Sequence, residues 1–394
     1  MMPDTIDDNE IEDWIEEDEG APIEDQKGPL DIDSIGTKYA SSQLRVVRET
    51  KDLSLDYLLT TTTYGKPIID TSPSYQRRLR WTNKKRSLLI ESLLLNIPIP
   101  PIFLYEKEYN EYEVVDGRQR VEAVISFLKN NYHLTGLRYW NELNGKRYND
   151  LPPILKKGLL RRSISSIVLL AETTKPTEDV DIRTVLFERL NTGGEKLNPQ
   201  ELRNAIYQGS FNKLLFELSE TKVFRKIWGI PDITQGSSEE IDPKFLENTL
   251  YKTMTDCELV LRYFAMKLIY FDVLKGSIKS VLDKCMLLYQ RADDKQIIGF
   301  RKEYTAAMET LLGIFEDDTF ILPKTRRISR PLYDGLMVAF TIGEGSELRS
   351  SPEIRQKLAV SLENREKYNI LVAKANTIES IKERIDLAME ILYK

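Results

Sequence analysis

The sequence predicts an α+β protein, with an αβ domain over residues 37–210 followed by an all-α helical domain over residues 211–394. Strand-like and helix-like stretches alternate between about residues 83 and 170, whereas strand signals vanish after about residue 210. The first 36 residues differ in composition, since they hold fourteen Asp and Glu against one basic residue, Lys27. This dense like charge predicts an acidic disordered tail over residues 1–36.

The acidic tail contains one aromatic residue, Trp14, which lies between Ile11 and Ile15. We expect a solubilising tail, and a docking or autoinhibitory segment is the alternative. Outside the tail Lys and Arg outnumber Asp and Glu, although the whole chain carries a net charge of −6. The mildly basic body is compatible with a polyanionic partner such as DNA.

The αβ domain is predicted from apolar periodicity and breaker residues. A helix over 83–95 should end at Ile97–Pro101, where three prolines enforce extended backbone. The remaining predicted elements are strands over 102–105, 112–115 and 164–170, and helices over 118–130 and 181–190.

The next helix has a clear start signal. Asn198 is a capping residue, Pro199 suits the first helical position, and Glu201 completes a capping box. Gly209 is predicted to end this helix. The helical domain then shows helical patterns over 243–274, 278–315, 330–343, 351–365 and 376–392.

The segment Asp116-Gly117-Arg118-Gln119-Arg120 carries the main chemical signal. A strand ends before it and a helix begins within it, so unpaired N–H groups and the positive end of the helix dipole are available to an anion. Asp116 and Gln119 are expected to form a capping box, and Arg118 and Arg120 bring guanidinium groups suited to phosphate. The alternative is an ordinary capped helix with two solvated arginines.

Two further segments support a nucleotide or nucleic-acid ligand. Lys and Arg neutralise phosphates and aromatic rings stack on bases, and one short stretch is rich in both. Its candidate DNA-binding residues are Tyr75, Gln76, Arg77, Arg78, Arg80, Lys84 and Lys85, with Trp81 and Arg86 beside them. The second segment is a polar loop of Asn191, Thr192, Gly193 and Gly194, where backbone can approach a ligand closely or simply end a helix.

Histidine and cysteine usage excludes several chemistries. His133 is the single histidine of the chain, which excludes zinc sites and nucleases that need two histidines. Cys257 and Cys285 lie in apolar helical contexts and are predicted to be buried free thiols in a reducing cytoplasm. No apolar run reaches the roughly 20 residues of a membrane helix, so we expect a cytoplasmic protein without a membrane partner.

The motifs together resemble the domain-of-unknown-function 262 family, the "DGQQR" proteins. The resemblance spans about residues 50–270 and rests on four motifs in the family's order. They are Tyr75-Gln76-Arg77, Ile97–Pro101, Asp116–Arg120, and Phe187–Gly194 with the following capped helix over Leu197–Arg203. Arg118 stands where the family usually has glutamine, which keeps the site suited to phosphate.

The resemblance implies a ParB and sulfiredoxin-like fold for the αβ domain and a nucleoside triphosphate, with Mg²⁺, as cofactor. It also implies a role in defence against phage, in which nucleotide hydrolysis is coupled to the cutting of modified DNA. Family members often carry a histidine-dependent HNH-type nuclease domain, which the single histidine of this chain cannot supply. A nuclease would then come from a separate partner protein, or from a carboxylate site of this chain that uses no histidine.

The leading hypothesis is a nucleotide-binding and NTP-hydrolysing regulatory or sensor component of a restriction-like system that targets DNA. Gly117, Arg118 and Arg120 would hold phosphates, and residues 191–194 would complete the pocket. Asp116 and Gln119 are the candidate catalytic residues, with Asp116 capping the helix, orienting the site or contacting Mg²⁺ through water. Two alternatives remain open: a non-enzymatic DNA-binding or adaptor subunit, and a ParB-like nuclease that nicks DNA. The oligomeric state is open as well.

Overall fold

The structure, a computed structural model, describes residues 48–63, 68–70, 81–170, 198–231, 247–372 and 377–394, together with Ile6, Ile11, Asp13 and Trp14. The chain divides into two compact units. Residues 27–197 form a unit that contains the sheet, and residues 1–26 with 198–394 form a helical unit. The boundary between the two units lies between Leu197 and Asn198, whereas the sequence pattern predicted a boundary at residue 210.

A mixed five-stranded sheet organises the first unit. Its strands are β1 (Arg48–Ser54), β2 (Ile69–Asp70), β3 (Ile102–Glu108), β4 (Glu111–Asp116) and β5 (Ser163–Leu169), in the spatial order β1-β5-β3-β4-β2. The β1–β5 and β3–β4 pairs are antiparallel, whereas β3–β5 and β2–β4 are parallel. In the β3–β4 register Phe103 lies opposite Asp116, so the start of β3 adjoins the end of β4.

Helices cover this sheet and share its core. They are α1 (Leu55–Thr63), α2 (Asn83–Leu94), α3 (Arg118–Leu128) and α4 (Pro153–Leu160), with short 3-10 turns at Asn141–Leu143 and Tyr148–Asp150. Apolar side chains of the strands and of all four helices form one buried cluster, in which Ile102, Val121 and Phe127 are fully enclosed. Burial of this cluster is what fixes α2 and α3 beside each other.

The described part of the second unit is helical apart from isolated bridges and loops. Its helices are α5 (Pro199–Ile206), α6 (Ser210–Ser219), α7 (Lys222–Trp228), α8 (Thr249–Lys252), α9 (Thr255–Tyr270), α10 (Ile278–Tyr289), α11 (Asp294–Phe315), α12 (Arg330–Ile342), α13 (Ser351–Glu363), α14 (Arg365–Val372) and α15 (Ile378–Leu392). No helix among the described residues is long and apolar enough to cross a membrane.

Helix α9 lies at the centre of the helical unit and packs against α6, α10, α12 and α15. It buries polar as well as apolar residues. Arg262 of α9 and Asp334 of α12 form a buried ion pair with an Nη2–Oδ2 distance of 2.5 Å. A buried charge without a partner is costly, so removal of either residue would destabilise the unit strongly.

Part of the acidic N-terminal segment belongs to the helical unit. Ile6, Ile11 and Trp14 are buried. The Trp14 ring meets Trp228 of α7 edge to face, with 6.5 Å between ring centroids, and the Arg330 guanidinium lies 5.0 Å from the Trp14 ring. Both terminal nitrogens of Arg330 donate to the Trp14 carbonyl. Trp14 thus anchors the segment, while disorder in the rest of the tail stays a prediction.

The structure confirms the α+β class, the predicted strands, and the helices at α2 and α3. It also confirms the capping box at Asn198, whose side chain accepts from Glu201 N–H. Three predictions were wrong. Gly209 does not end α5, which stops at Ile206, but precedes α6. The pattern over 243–274 contains two helices, α8 and α9. The pattern over 278–315 is also two helices, because Asp293 caps α11 with its own capping box. The predicted helix over 181–190 lies outside the described residues.

Candidate functional site

The site begins where β4 passes directly into α3. Gly117 stands between them with φ of 90°, a left-handed conformation that favours glycine. A Cβ built on Gly117 would lie 2.5 Å from Cγ2 of Ile102, so the backbone also approaches β3 too closely for a side chain. Glycine at this position therefore lets α3 start directly after the end of β4, with Arg118 as its first residue.

The predicted cap of this helix was wrong. Gly117, not Asp116, is the capping residue, and no side chain accepts a hydrogen bond at this cap. Asp116 instead ends β4, and its carboxylate accepts a hydrogen bond from Arg120, with an Nη2–Oδ2 distance of 2.7 Å. Arg120 lies in the first turn of α3, and its ion pair takes the Asp116 carboxylate that the capping box would have used.

Arg120 also connects the box to the proline-rich turn before β3. Its Nη2 donates to the carbonyl of Pro101 at 3.2 Å. The Arg120 side chain is 15% exposed and that of Asp116 is 32% exposed, so the ion pair is half-buried and the carboxylate is its more accessible member. Two of the segments singled out in the sequence, Ile97–Pro101 and Asp116–Arg120, are thus joined by one guanidinium.

Gln119 turns inward at the same helix start. Its side chain is buried, and within the described part of the chain its Oε1 atom has no hydrogen-bond partner. A buried amide oxygen normally accepts at least one hydrogen bond, and the exceptions call for a water, an ion or a ligand. Gln119 is therefore a candidate acceptor for a group that enters the site.

Arg118 belongs to a charged cluster that joins α3 to α2. Burial raises the pKa of the Glu122 carboxyl above its ordinary value, and the positive charges of Arg118 and Arg86 partly oppose that shift. Arg86 also lies over the ring of Tyr132, 5.9 Å from its centroid. The start of α3 and the start of α2 therefore present arginines to one partly buried carboxylate.

The first turn of α2 carries the basic residues of the predicted DNA-binding segment that the structure describes. Thr82 caps the helix and accepts a hydrogen bond from Lys85 N–H. The Lys85 ammonium lies 5.0 Å from the centroid of the Trp81 ring, and both Lys84 and Lys85 are exposed. Five other predicted DNA-binding residues lie outside the described residues, namely Tyr75, Gln76, Arg77, Arg78 and Arg80.

The structure therefore brings together one part of the predicted site. Asp116, Gly117, Arg118, Gln119 and Arg120 share a single strand-to-helix junction. The loop of Asn191, Thr192, Gly193 and Gly194 lies outside the described residues, so its contribution to the pocket stays a prediction.

Sequence reasoning missed Glu122 as a neighbour of this junction. The signal was present, because Glu122 follows Arg118 by four residues, a spacing at which helical side chains meet. The contribution of Arg86 could not be read from spacing, since the packing of α2 on α3 is what brings its charge to Glu122.

Comparison with known families covers the same part of the chain. Residues 59–208 match the family model described as GmrSD restriction endonuclease, N-terminal domain. No curated protein matches the chain, and no solved structure matches it. The matched residues run from α1 past α5, so they include the box at Asp116–Arg120. Over this region, less than half of its length, the chain is similar to the N-terminal domain of a restriction endonuclease.

Proposed function

We propose that this protein is a component of a restriction-like system that targets DNA, and that its sheet-containing unit binds a nucleoside triphosphate at the start of α3. The observation that carries the proposal is the placement of Arg118, Gln119 and Arg120 in the first turn of a helix that leaves the sheet at Gly117. The match of this region to a restriction endonuclease domain supports the system to which we assign it.

Phosphate binding at this point would use both backbone and side chains. The first N–H groups of a helix have no partner within the helix, and the dipole adds positive potential there. Arg118 occupies the first helical position and Arg120 the third. We assign the direct phosphate contact to Arg118, and to Arg120 the additional task of holding Asp116 and Pro101 in place.

Asp116 and Gln119 are the residues we assign to hydrolysis. The unpartnered Oε1 of Gln119 would accept a hydrogen bond from a water and so orient it. Mg²⁺ is held by one or two carboxylates together with phosphate oxygens and waters. Asp116 offers one such carboxylate, and the described residues contain no group of three potential ligands that could hold a metal alone. These residues fit a Mg²⁺ ion that enters with the nucleotide. The ion would neutralise part of the negative charge of the phosphates.

DNA would be contacted by the basic segment that continues into α2, with Lys84 and Lys85 as its described members. The cutting of DNA would fall to a partner nuclease, because the single histidine cannot build an HNH-type site. In this arrangement nucleotide turnover in the sheet-containing unit regulates the partner.

Calorimetric titration of ATP, GTP, CTP and UTP with Mg²⁺ into the full chain tests the proposal. We expect Arg118→Ala to weaken binding by about tenfold or more, because a charge-assisted hydrogen bond contributes about 1.5–3 kcal/mol. Arg120→Ala should abolish binding without unfolding the protein, since it removes a charge and also frees Asp116. The matched control is Lys129→Ala, which removes an exposed charge from the opposite end of α3 and should leave affinity unchanged.

Equal nucleotide affinity in wild type and both arginine variants would refute the assignment. A phosphate-release assay with and without DNA then separates the two candidate functions. Turnover supports the NTP-hydrolysing reading. Its absence, together with DNA affinity that falls steeply with salt, supports a non-enzymatic adaptor, which the exposed lysines at the start of α2 favour.

A further inference from the structure

The loop over residues 134–140, which we name the clamped loop, lies along one face of α2. The Thr135 N–H donates to Oγ of Ser87 at 2.9 Å. The N–H groups of Arg138, Tyr139 and Trp140 all donate to the carboxylate of Glu91, at distances of 2.7–3.2 Å. Glu91 is buried, so this carboxylate fixes three consecutive backbone groups in a protected environment.

The clamped loop and the start of α2 together carry several basic side chains. Residues 81–90 and 131–140 contain Lys84, Lys85, Arg86 and Arg138 but no Asp or Glu. Lys84, Lys85 and Arg138 are exposed. The two stretches touch, because a Cβ built on Gly136 would lie 3.0 Å from Cγ of Lys84. Two carboxylates lie just beyond these stretches: Glu91, which is buried and accepts from the loop backbone, and Glu142, which is exposed.

Tyr139 projects from this surface. It is 75% exposed even though its own backbone N–H is held by Glu91 at 2.7 Å. An aromatic side chain on a fixed backbone loses little conformational freedom when it binds, since only its own rotamers remain to be ordered. The ring follows Arg138 in the chain and lies on the same loop as Gly136, which Lys84 contacts. Exposed aromatic rings that share a surface with basic side chains are what proteins use to stack on bases while they neutralise phosphates.

We propose that the clamped loop and the start of α2 form a binding face for unpaired DNA, on which a base stacks against Tyr139 and the neighbouring phosphates contact Lys84, Lys85 and Arg138. A base inside a duplex has both of its faces covered by neighbouring base pairs, so Tyr139 can stack only on a base that is single-stranded or extruded. The inference rests on the proposed function in one respect, the choice of DNA as the polyanion, and it adds the state of the DNA that is recognised.

Fluorescence anisotropy with the full chain tests this face. The probes are a labelled single-stranded DNA, a blunt duplex of the same sequence, the same duplex with a three-nucleotide bulge, and the single strand as RNA. We expect the single-stranded and bulged DNA to bind more tightly than the blunt duplex. Tyr139→Ala should weaken binding of these two probes by between about fivefold and a hundredfold, the range found when a stacking aromatic is removed. Tyr139→Phe should restore it.

Tyr109 provides the matched control. It is another exposed tyrosine of the same unit, at 83% exposure, but it lies in the β3–β4 turn between Glu108 and Glu111. Tyr109→Ala should leave the affinity for every probe unchanged. Lys84→Ala should weaken duplex and single-stranded binding alike and reduce the salt dependence by about one phosphate contact, since it removes charge and not stacking.

The proposal is overturned if Tyr139→Ala binds single-stranded DNA within twofold of wild type, if wild type prefers the blunt duplex, or if RNA is bound more tightly than DNA. Circular dichroism and the Tyr139→Phe variant separate lost stacking from lost folding. Nucleotide titrations on wild type and Tyr139→Ala distinguish a failure of this proposal from a failure of the proposed function. Normal nucleotide affinity with unchanged DNA binding refutes the stacking face alone, whereas absent nucleotide binding in wild type refutes the proposed function.

Discussion

Arg120, in the first turn of α3, donates hydrogen bonds to the carbonyl of Pro101 and to the carboxylate of Asp116. An Asp before a glycine can cap the following helix or pair with an arginine four residues on, and the sequence allows both. The structure shows the ion pair, with 2.7 Å between Arg120 Nη2 and Asp116 Oδ2, and no side-chain cap. The positions of Gly117, Arg118 and Gln119 could be predicted from the residues, but the partner of Asp116 could not, because two local interactions of similar strength compete for one carboxylate.

The charge state of Glu122 gives a prediction that pH can test. Burial raises the pKa of Glu122 above the ordinary value of 4.5. In the pH window between 4.5 and the raised pKa, the folded chain therefore binds more protons than the unfolded chain. The contribution of this group to stability therefore falls as pH rises through that window. Glu122→Gln removes the titration, so its melting temperature should rise relative to wild type as the pH increases above 4.5.

The measurement is a series of thermal melts of both proteins across this range in one buffer system. Glu142→Gln is the control, because Glu142 is an exposed carboxylate of the same unit. A difference between Glu122→Gln and wild type that stays constant with pH, or that shrinks as pH rises, would show that the burial of Glu122 does not disfavour its charged form.

At the scale of elements, the contact between α2 and the clamped loop depends on Glu91. Glu91→Ala would leave three backbone N–H groups without their acceptor, which we expect to cost about 3 kcal/mol of unfolding free energy. Glu91→Gln keeps one acceptor oxygen and should cost less, about 1–2 kcal/mol. Urea unfolding of the two variants measures both values. Equal stability of Glu91→Ala and wild type would mean that water replaces the carboxylate and that the loop is not clamped.

The elements that could be predicted are those whose signals are local. The capping box at Asn198 and the helix α2 depend on signals within their own residues, and both are present. Strand β1 was missed because Arg48–Ser54 is an edge strand with mostly exposed, charged side chains, and its pairing with β5 involves residues more than a hundred positions away. The clamped loop was missed for the same reason, since Glu91 and Tyr139 are brought together by tertiary packing.

At the scale of the whole molecule, the chain consists of a sheet-containing unit and a helical unit that also includes part of the N-terminal segment. The α+β class could be predicted because strand signals end where helical patterns take over. The docking of Trp14 on Trp228 and Arg330 could not, because composition marks residues 1–36 as charged and does not show what Trp14 packs against.

Trp14→Ala tests whether the N-terminal segment stabilises the helical unit. Removal of a buried tryptophan from a core costs about 3–5 kcal/mol, and we expect a cost of about that size here. Hydrogen exchange of the full chain should show lost protection in α7 and α12 and unchanged protection in α3. Trp14→Phe keeps an aromatic ring over Arg330 and should lose much less. Unchanged protection in α7 and α12 would mean that the segment contributes nothing to the unit.

In the proposed function, the start of α3 holds the phosphates of a nucleotide. Hydrogen exchange of the full chain with and without each nucleoside triphosphate and Mg²⁺ measures this directly, because the amides after Gly117 would donate to the ligand. We expect slower exchange at residues 117–120 when nucleotide is bound, whereas the Val121 N–H already donates to the Gly117 carbonyl. Bound nucleotide that leaves exchange at these residues unchanged, with protection confined to the helical unit, would contradict it.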